Sequence, residues 1–189
     1  SVGGDLGQPY PFFLAHPLDP SVVDFNATLG PPSDWIIEWK YDGIRAQLVR
    51  RGGQTWIWSR GEELISEQFP ELVEHASALP SGTVLDGEIV VWLNRTVAPF
   101  NLLQRRLGRK TLTPRILADA PVVFIAYDIL EHAGADVRDQ PPHARRARLE
   151  APPAAPPAIS VTPIAPPPTR AAPDLLRPAP PPRCVGTAP

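Results

Sequence analysis

Three observations predict an α+β fold confined to residues 1–150. Short strand-like runs are joined by tight turns, helical spacing appears in separate stretches, and proline divides the chain. Of 27 prolines, 14 fall in residues 151–189, where alanine is the other common residue. Such a stretch buries too little apolar surface to offset its ordering entropy and favours extended polyproline II, so a disordered Pro/Ala-rich tail is expected there. Antiparallel strands with segregated helices point to α+β rather than to a doubly wound parallel sheet.

The elements follow in order. Trp35 to Tyr41 reads as a strand that Ile44 to Val49 resumes, and Gly52-Gly53 supplies a hairpin turn into Thr55 to Ser59. From Glu67 to Leu79, the spacing of Phe69, Leu72, Val73 and Ala76 fits one apolar helix face, with Pro70 tolerable only in the first turn. Pro80-Ser81-Gly82 ends that helix, and Thr83 to Trp92 is β-rich around Asp86-Gly87-Glu88. Phe100, Leu103 and Leu107 have helical spacing, Val122 to Leu130 forms an apolar strand, and a short helix is expected over Pro142 to Glu150.

Composition bounds the function only loosely. A formal charge of -2 and a pI near 6.1 neither require nor exclude a nucleic-acid partner. The single cysteine, Cys184, excludes an internal disulfide framework and points to a reducing cytoplasm. No apolar run approaches the roughly 18 residues that span a bilayer, so no membrane partner is expected, and the protein is read as a monomer.

The chain contains two lysines, and one lies in Glu38-Trp39-Lys40-Tyr41-Asp42-Gly43-Ile44-Arg45. On a strand, Glu38, Lys40 and Asp42 would share one face and Ile37, Trp39 and Tyr41 the other. A nucleophilic lysine must be partly neutral, whereas adjacent carboxylates stabilise its ammonium, so a metal ion or cationic neighbours would have to offset them. Taken alone, the octet reads equally as a half-exposed strand whose charges pair in solvent.

Lys40-Tyr41-Asp42-Gly43-Ile44-Arg45 resembles the nucleotidyltransferase motif, Lys-x-Asp-Gly-x-Arg, of ATP-dependent DNA ligases. Ser59-Arg60-Gly61-Glu62-Glu63 resembles the family's second motif, Leu85-Asp86-Gly87-Glu88-Ile89-Val90 its third, and Phe124 to Leu130 the aromatic-Asp motif that follows. Pro9 to Ala15 and Phe100 to Lys110 also look like bacterial members, so the resemblance covers about Gln8 to Glu150. It implies a partial nucleotidyltransferase (adenylation) domain at 1–150, with antiparallel sheets and flanking helices, in a bacterial cytoplasmic enzyme of DNA repair, recombination or replication.

The resemblance further implies that Lys40 attacks the α-phosphorus of ATP, that AMP passes to a 5′-phosphate at a nick in duplex DNA, and that a 3′-hydroxyl displaces AMP. Mg²⁺ or Mn²⁺ is the implied ion, since such transfers depend on positioning and charge neutralisation. By the same carry-over, Glu38 accepts from the adenine amino group. Arg45 and Arg60 hold phosphate and ribose, Glu88 stands beside ribose and metal, and Tyr127 stacks on adenine. Each has a plainer reading: Glu38 in a surface ion pair, the arginines as surface charges, Glu88 in an Asp-Gly hairpin turn, and Tyr127 as core. Asp128 is read as structural, paired with an arginine.

Arg105, Arg106, Arg109 and Lys110 form the one dense basic cluster. It suits DNA phosphates, or equally a solvated helix face that complements the helix dipole. The four histidines lack metal-ligand spacing and are assigned nothing.

The chain also departs from the family. No lysine follows Lys110 and no glutamate follows Glu150, so the two distal lysine-bearing motifs and the C-terminal OB-fold domain have no counterpart in this sequence. A truncated or frame-shifted ligase, poor at sealing nicks, is the expectation. An RNA ligase or capping-type nucleotidyltransferase, and a non-catalytic nucleotide- or DNA-binding remnant, are the alternatives.

Overall fold

The computed structural model describes residues 6–14, 17, 19, 21, 24–31, 34–107, 109, 111–151 and 158–161. Its centre is a sheet built from β1 (Ile44–Arg51), β2 (Gln54–Ser59), β3 (Thr83–Leu93) and β5 (Val122–His132). The strand order is β2-β1-β3-β5, antiparallel throughout, so β1 and β3 are covered on both edges. The two-residue strands β4 (Thr96–Val97) and β6 (Ala135–Asp136) each extend a hairpin arm. The Gly52-Gly53 hairpin forms as its sequence requires, with φ of 53° and 77°, the left-handed values that a tight two-residue turn demands.

Alternation along the strands divides the sheet into two faces. Ala46, Leu48, Leu85, Ile89, Val91, Phe124, Ala126 and Ile129 belong to one apolar core. Helices α2 (Pro70–Ala76) and α3 (Phe100–Leu107) pack there through Leu72, Ala76 and Leu103, with α4 (Pro114–Asp119) ending at the buried Ala120. Burial of this kind stabilises by about 25 cal/mol per Å² of apolar surface. The helix expected over Glu67 to Leu79 is divided at Phe69 into a 3₁₀ turn, Ser66–Gln68, and α2, with Pro70 in the first turn. Helices α1 (Phe25–Leu29) and α4 carry their own caps, Asp24 accepting from Ala27 N–H and Thr113 from Ile116 N–H, and neither was expected from apolar spacing.

The β-rich run Thr83 to Trp92 is β3, while two sequence expectations and one plainer reading need correction. The strand over Trp35 to Tyr41 does not form: apart from an isolated bridge at Glu38 the segment is irregular, and β1 begins only at Ile44. Its alternation survives in part, because Trp39 and Tyr41 pack on Val90 and Ile125 while Lys40 is exposed. Asp86-Gly87-Glu88 is no turn but the middle of β3, where a Cβ on Gly87 would sit 2.2 Å from the Ile125 carbonyl oxygen. Finally, the region read as a tail from residue 151 contains β7 (Ile159–Val161), which pairs parallel to β5 in register Phe124↔Ile159. Buried Ala158 and Ile159 hold it, so the folded unit extends past Glu150 to Val161. Residues 152–157 and 162–189 lie outside the described set.

Candidate functional site

The second face of the sheet is polar at its centre. Arg45 on β1 stands opposite Glu88 on β3, and Gln47 opposite Asp86. The Arg45 guanidinium binds Asp86 through two hydrogen bonds, Nε to Oδ1 at 2.7 Å and Nη2 to Oδ2 at 2.9 Å. It also lies over the Tyr127 ring, 5.1 Å from the centroid. The fork-to-carboxylate pairing and the ring together hold the arginine in one pose. Glu88 accepts from the Gly43 N–H, and burial pushes its carboxyl up to about 7 although Arg45 and Lys40 draw it down. A Cβ on Gly43 would meet the Ile89 carbonyl oxygen at 2.2 Å. That close approach explains the glycine of the motif: it lets the Lys40 segment lie against β3.

A β-bulge places Tyr127. Asp86 pairs with Asp128 and Gly87 with Ala126, so Tyr127 is the extra residue on β5. The bulge brings Tyr127 and Asp128 to the same cavity, which strict alternation would forbid. Burial beside Glu88 raises the phenol of Tyr127. The Asp128 carboxylate is held by Arg145 of α5 (Pro142–Glu150), with Nε to Oδ1 at 2.9 Å, which is the arginine pairing expected of it.

The cavity holds about 350 Å³ and is lined by Glu38, Arg45, Asp86, Tyr127, Asp128 and Arg146 among others, with Phe13 and Ile36 as apolar wall. Glu38 is half-buried and accepts from Arg146 Nη1 at 2.9 Å. Burial pushes its carboxyl up to about 7, outweighing Arg146 and Arg45. Lys40 and Arg60 are exposed and do not line this cavity. Lys40 nevertheless lies near enough to Glu88 to act on its charge, and the Arg60 N–H donates to the Arg45 carbonyl, tying the second motif to the first.

The structure therefore brings Glu38, Arg45, Glu88 and Tyr127 to one face, with Lys40 at its margin and Arg60 on the adjoining turn. Sequence reasoning passed over Asp86, Arg145 and Arg146 as site residues. The Asp of Asp-Gly-Glu was a usable signal for the first, and the close-set arginines of Pro142 to Glu150 for the others. The basic cluster is corrected. Arg106 is fully buried, bound to Glu71 and to the carbonyls of Gln68 and Ala120, and stacks on Phe69. It cannot contact DNA. Arg105 and Arg109 are exposed, and Lys110 lies outside the described residues.

A family model described as ATP dependent DNA ligase domain matches residues 13–161. The chain belongs to this family. A probable DNA ligase of Koribacter versatilis is 35% identical over 145 residues, 77% of this chain and 24% of the relative. A probable DNA ligase of Opitutus terrae is 44% identical over 117 residues, 61% of this chain and 11% of the relative. Among solved structures, mycobacterial DNA ligase D complexed with ATP and MES superposes with a TM-score of 0.57 at 28% identity, covering 70% of this chain and 40% of that one. The ligase domain of M. tuberculosis LigD gives 0.51 at 30% identity, covering 61% and 36%. The nucleotidyltransferase fold of these ligases is thus the fold of this chain, which spans about a quarter or less of the two curated relatives.

Among the described residues, no group of three or more His, Cys, Asp or Glu side chains is placed to hold a metal ion. No helix among them is long and apolar enough to cross a membrane.

Proposed function

We propose that this chain carries the lysine-adenylylation chemistry of an ATP-dependent DNA ligase. The observation that supports it most directly is the exposed Lys40 beside a half-buried Glu88, on a face that also presents Arg45 and Tyr127. Neutral Lys40 Nζ attacks the α-phosphorus of ATP. A P–N bond forms, the bond to the bridging oxygen breaks, pyrophosphate leaves, and the lysine proton passes to solvent. Arg45 and Arg60 hold ribose and phosphate oxygens, Tyr127 stacks on the adenine, and Glu38 accepts from its amino group.

Mg²⁺ or Mn²⁺ fits this donor set, because Mg²⁺ commonly takes one or two protein carboxylates and completes its shell with water and substrate phosphates. Glu88 would hold it, and the ion would neutralise charge on the phosphates. Glu88 must then be ionised, against the burial that favours its proton, so metal loading and with it adenylylation should strengthen as pH rises from acid. The AMP is destined for a 5′-phosphate at a nick in duplex DNA, in repair, recombination or replication, by a cytoplasmic monomer.

Incubation with α-labelled ATP and Mg²⁺ tests the reading. An acid-labile AMP adduct that disappears in Lys40→Ala is expected; no adduct with either Mg²⁺ or Mn²⁺ would overturn it. Since these 189 residues carry no lysine after Lys110 and no glutamate after Glu150, sealing of a 5′-phosphorylated nick by this chain alone is expected to be very poor.

A further inference from the structure

We propose that Arg146 is a positioning residue for base recognition, which orients the Glu38 carboxylate against its guanidinium so that it selects an adenine nucleotide. This rests on the adenylylation reading above. Glu38 lies in the irregular segment before β1, where one isolated bridge is the only sheet-like pairing. A glutamate so placed samples several rotamers unless another group fixes it. Arg146, distant in sequence, supplies that group by donating Nη1 to Oε1 at 2.9 Å.

The arginine is itself held firmly. Its side chain is 8% exposed, and its Nε donates to Glu150 Oε1 at 2.5 Å, one helical turn on. Helix α5 is anchored in turn by the neighbouring Arg145, which binds Asp128 and donates to the carbonyls of Arg138 and Gln140. Adjacent arginines on one helix thus bind two carboxylates that line the same cavity. The charged groups acting on Glu38 come from three elements: Arg146 on α5, Asp128 on β5 and Arg45 on β1. Burial and Asp128 favour the proton, and the two arginines oppose it.

The protonation state decides what Glu38 can read. An ionised carboxylate only accepts hydrogen bonds, which suits the 6-amino group of adenine and repels the 6-oxo group of guanine. A protonated carboxyl can donate to that oxo group, so the preference collapses. Arg146 thereby sets purine selectivity without touching the base.

The test uses the full 189-residue chain, Arg146→Gln and Arg146→Lys, with thermal melts to establish that each is folded. The Glu38 carboxyl is titrated by ¹³C NMR, and ATP and GTP binding are measured across pH. A Glu38 midpoint of about 7 is expected in the unsubstituted chain. In Arg146→Gln it should rise by about one unit, so the ionised fraction at pH 7 drops from about a half to about a tenth and the ATP-over-GTP preference there should fall by about fivefold. The loss should shrink at pH 9, and Arg146→Lys, which keeps the charge but not the fork, should lie between. It also carries the test if Arg146→Gln does not fold. An unmoved midpoint, an unmoved preference, or tighter ATP binding in the variants would overturn the proposal, the last because Arg146 would then compete with the base. If the unsubstituted chain binds neither nucleotide while the Glu38 midpoint still moves, the adenylylation reading has failed and base selection falls with it. A chain that binds ATP with a preference indifferent to Arg146 overturns the present inference alone.

Discussion

The two faces of the central sheet are made by the same strands and do opposite things. On one, Leu48, Leu85, Ile89 and Phe124 meet α2 and α3 in a closed apolar layer. On the other, one residue away along each strand, stand Arg45, Gln47, Asp86 and Glu88. The first face supplies stability by burial. The second holds two carboxylates, Glu38 and Glu88, in surroundings that push each up to about 7. Charge kept there in readiness weakens the fold, and the packed face has to compensate.

Lys40→Ala should separate the faces most sharply. Loss of the nucleophile should reduce AMP-adduct formation by more than about 10⁴-fold. Because Lys40 is exposed, the variant's free energy of unfolding, read by chemical denaturation, should stay within about 0.5 kcal/mol of the unsubstituted chain. Phe124→Ala should do the reverse: a fully buried ring is removed, and stability should drop by about 3–5 kcal/mol, read by urea unfolding. Adduct formation should persist at a temperature where that variant is still folded. If it vanished there, the faces would not be separable.

Asp86→Ala probes the point where the faces meet structurally. Its side chain is 4% exposed and bound twice by Arg45, so removing it should cost about 1–3 kcal/mol and release Arg45 from Tyr127. The variant should bind ATP more weakly as well, whereas unchanged binding would make the pair purely structural.

The smallest effect is a pH dependence. Glu88 ordinarily titrates near 4.5 and in the folded chain near 7. Between those values the folded state holds more protons than the unfolded one, so stability falls as pH rises and the full penalty applies above about 7. Glu88→Gln should match the unsubstituted chain near pH 4 and exceed it in melting temperature near pH 8. A difference that grows toward acid would reverse the sign and sink this account.

Much of this was legible in the sequence because it is local. The Gly52-Gly53 hairpin, the Phe100 to Leu107 helix and the Pro142 to Glu150 helix follow from turn chemistry and spacing, and the structure places them there. The ordered motifs pointed to Glu38, Arg45, Glu88 and Tyr127, which the fold gathers on one face. What remained hidden depends on distant pairing. Trp35 to Tyr41 has strand alternation but no ladder of neighbours. Tyr127 and Asp128 share a cavity through a bulge that no periodicity records. Arg106 looked like a surface charge, yet it falls three residues after Leu103 on the buried stripe of its helix, opposite Glu71. The Glu38 to Arg146 pair spans most of the domain and leaves no local trace.

The short strand β7 bears on how the chain folds as it is made. Phe124 waits for Ile159, so one margin of β5 stays without its neighbour until synthesis has passed Val161. During that interval, at about 5–20 residues per second, the open edge exposes unpaired amide and carbonyl groups that another nascent chain can capture. A ribosome stalled before Ile159 should release a product prone to edge-to-edge association, one that already holds Lys40, Arg45, Glu88 and Tyr127.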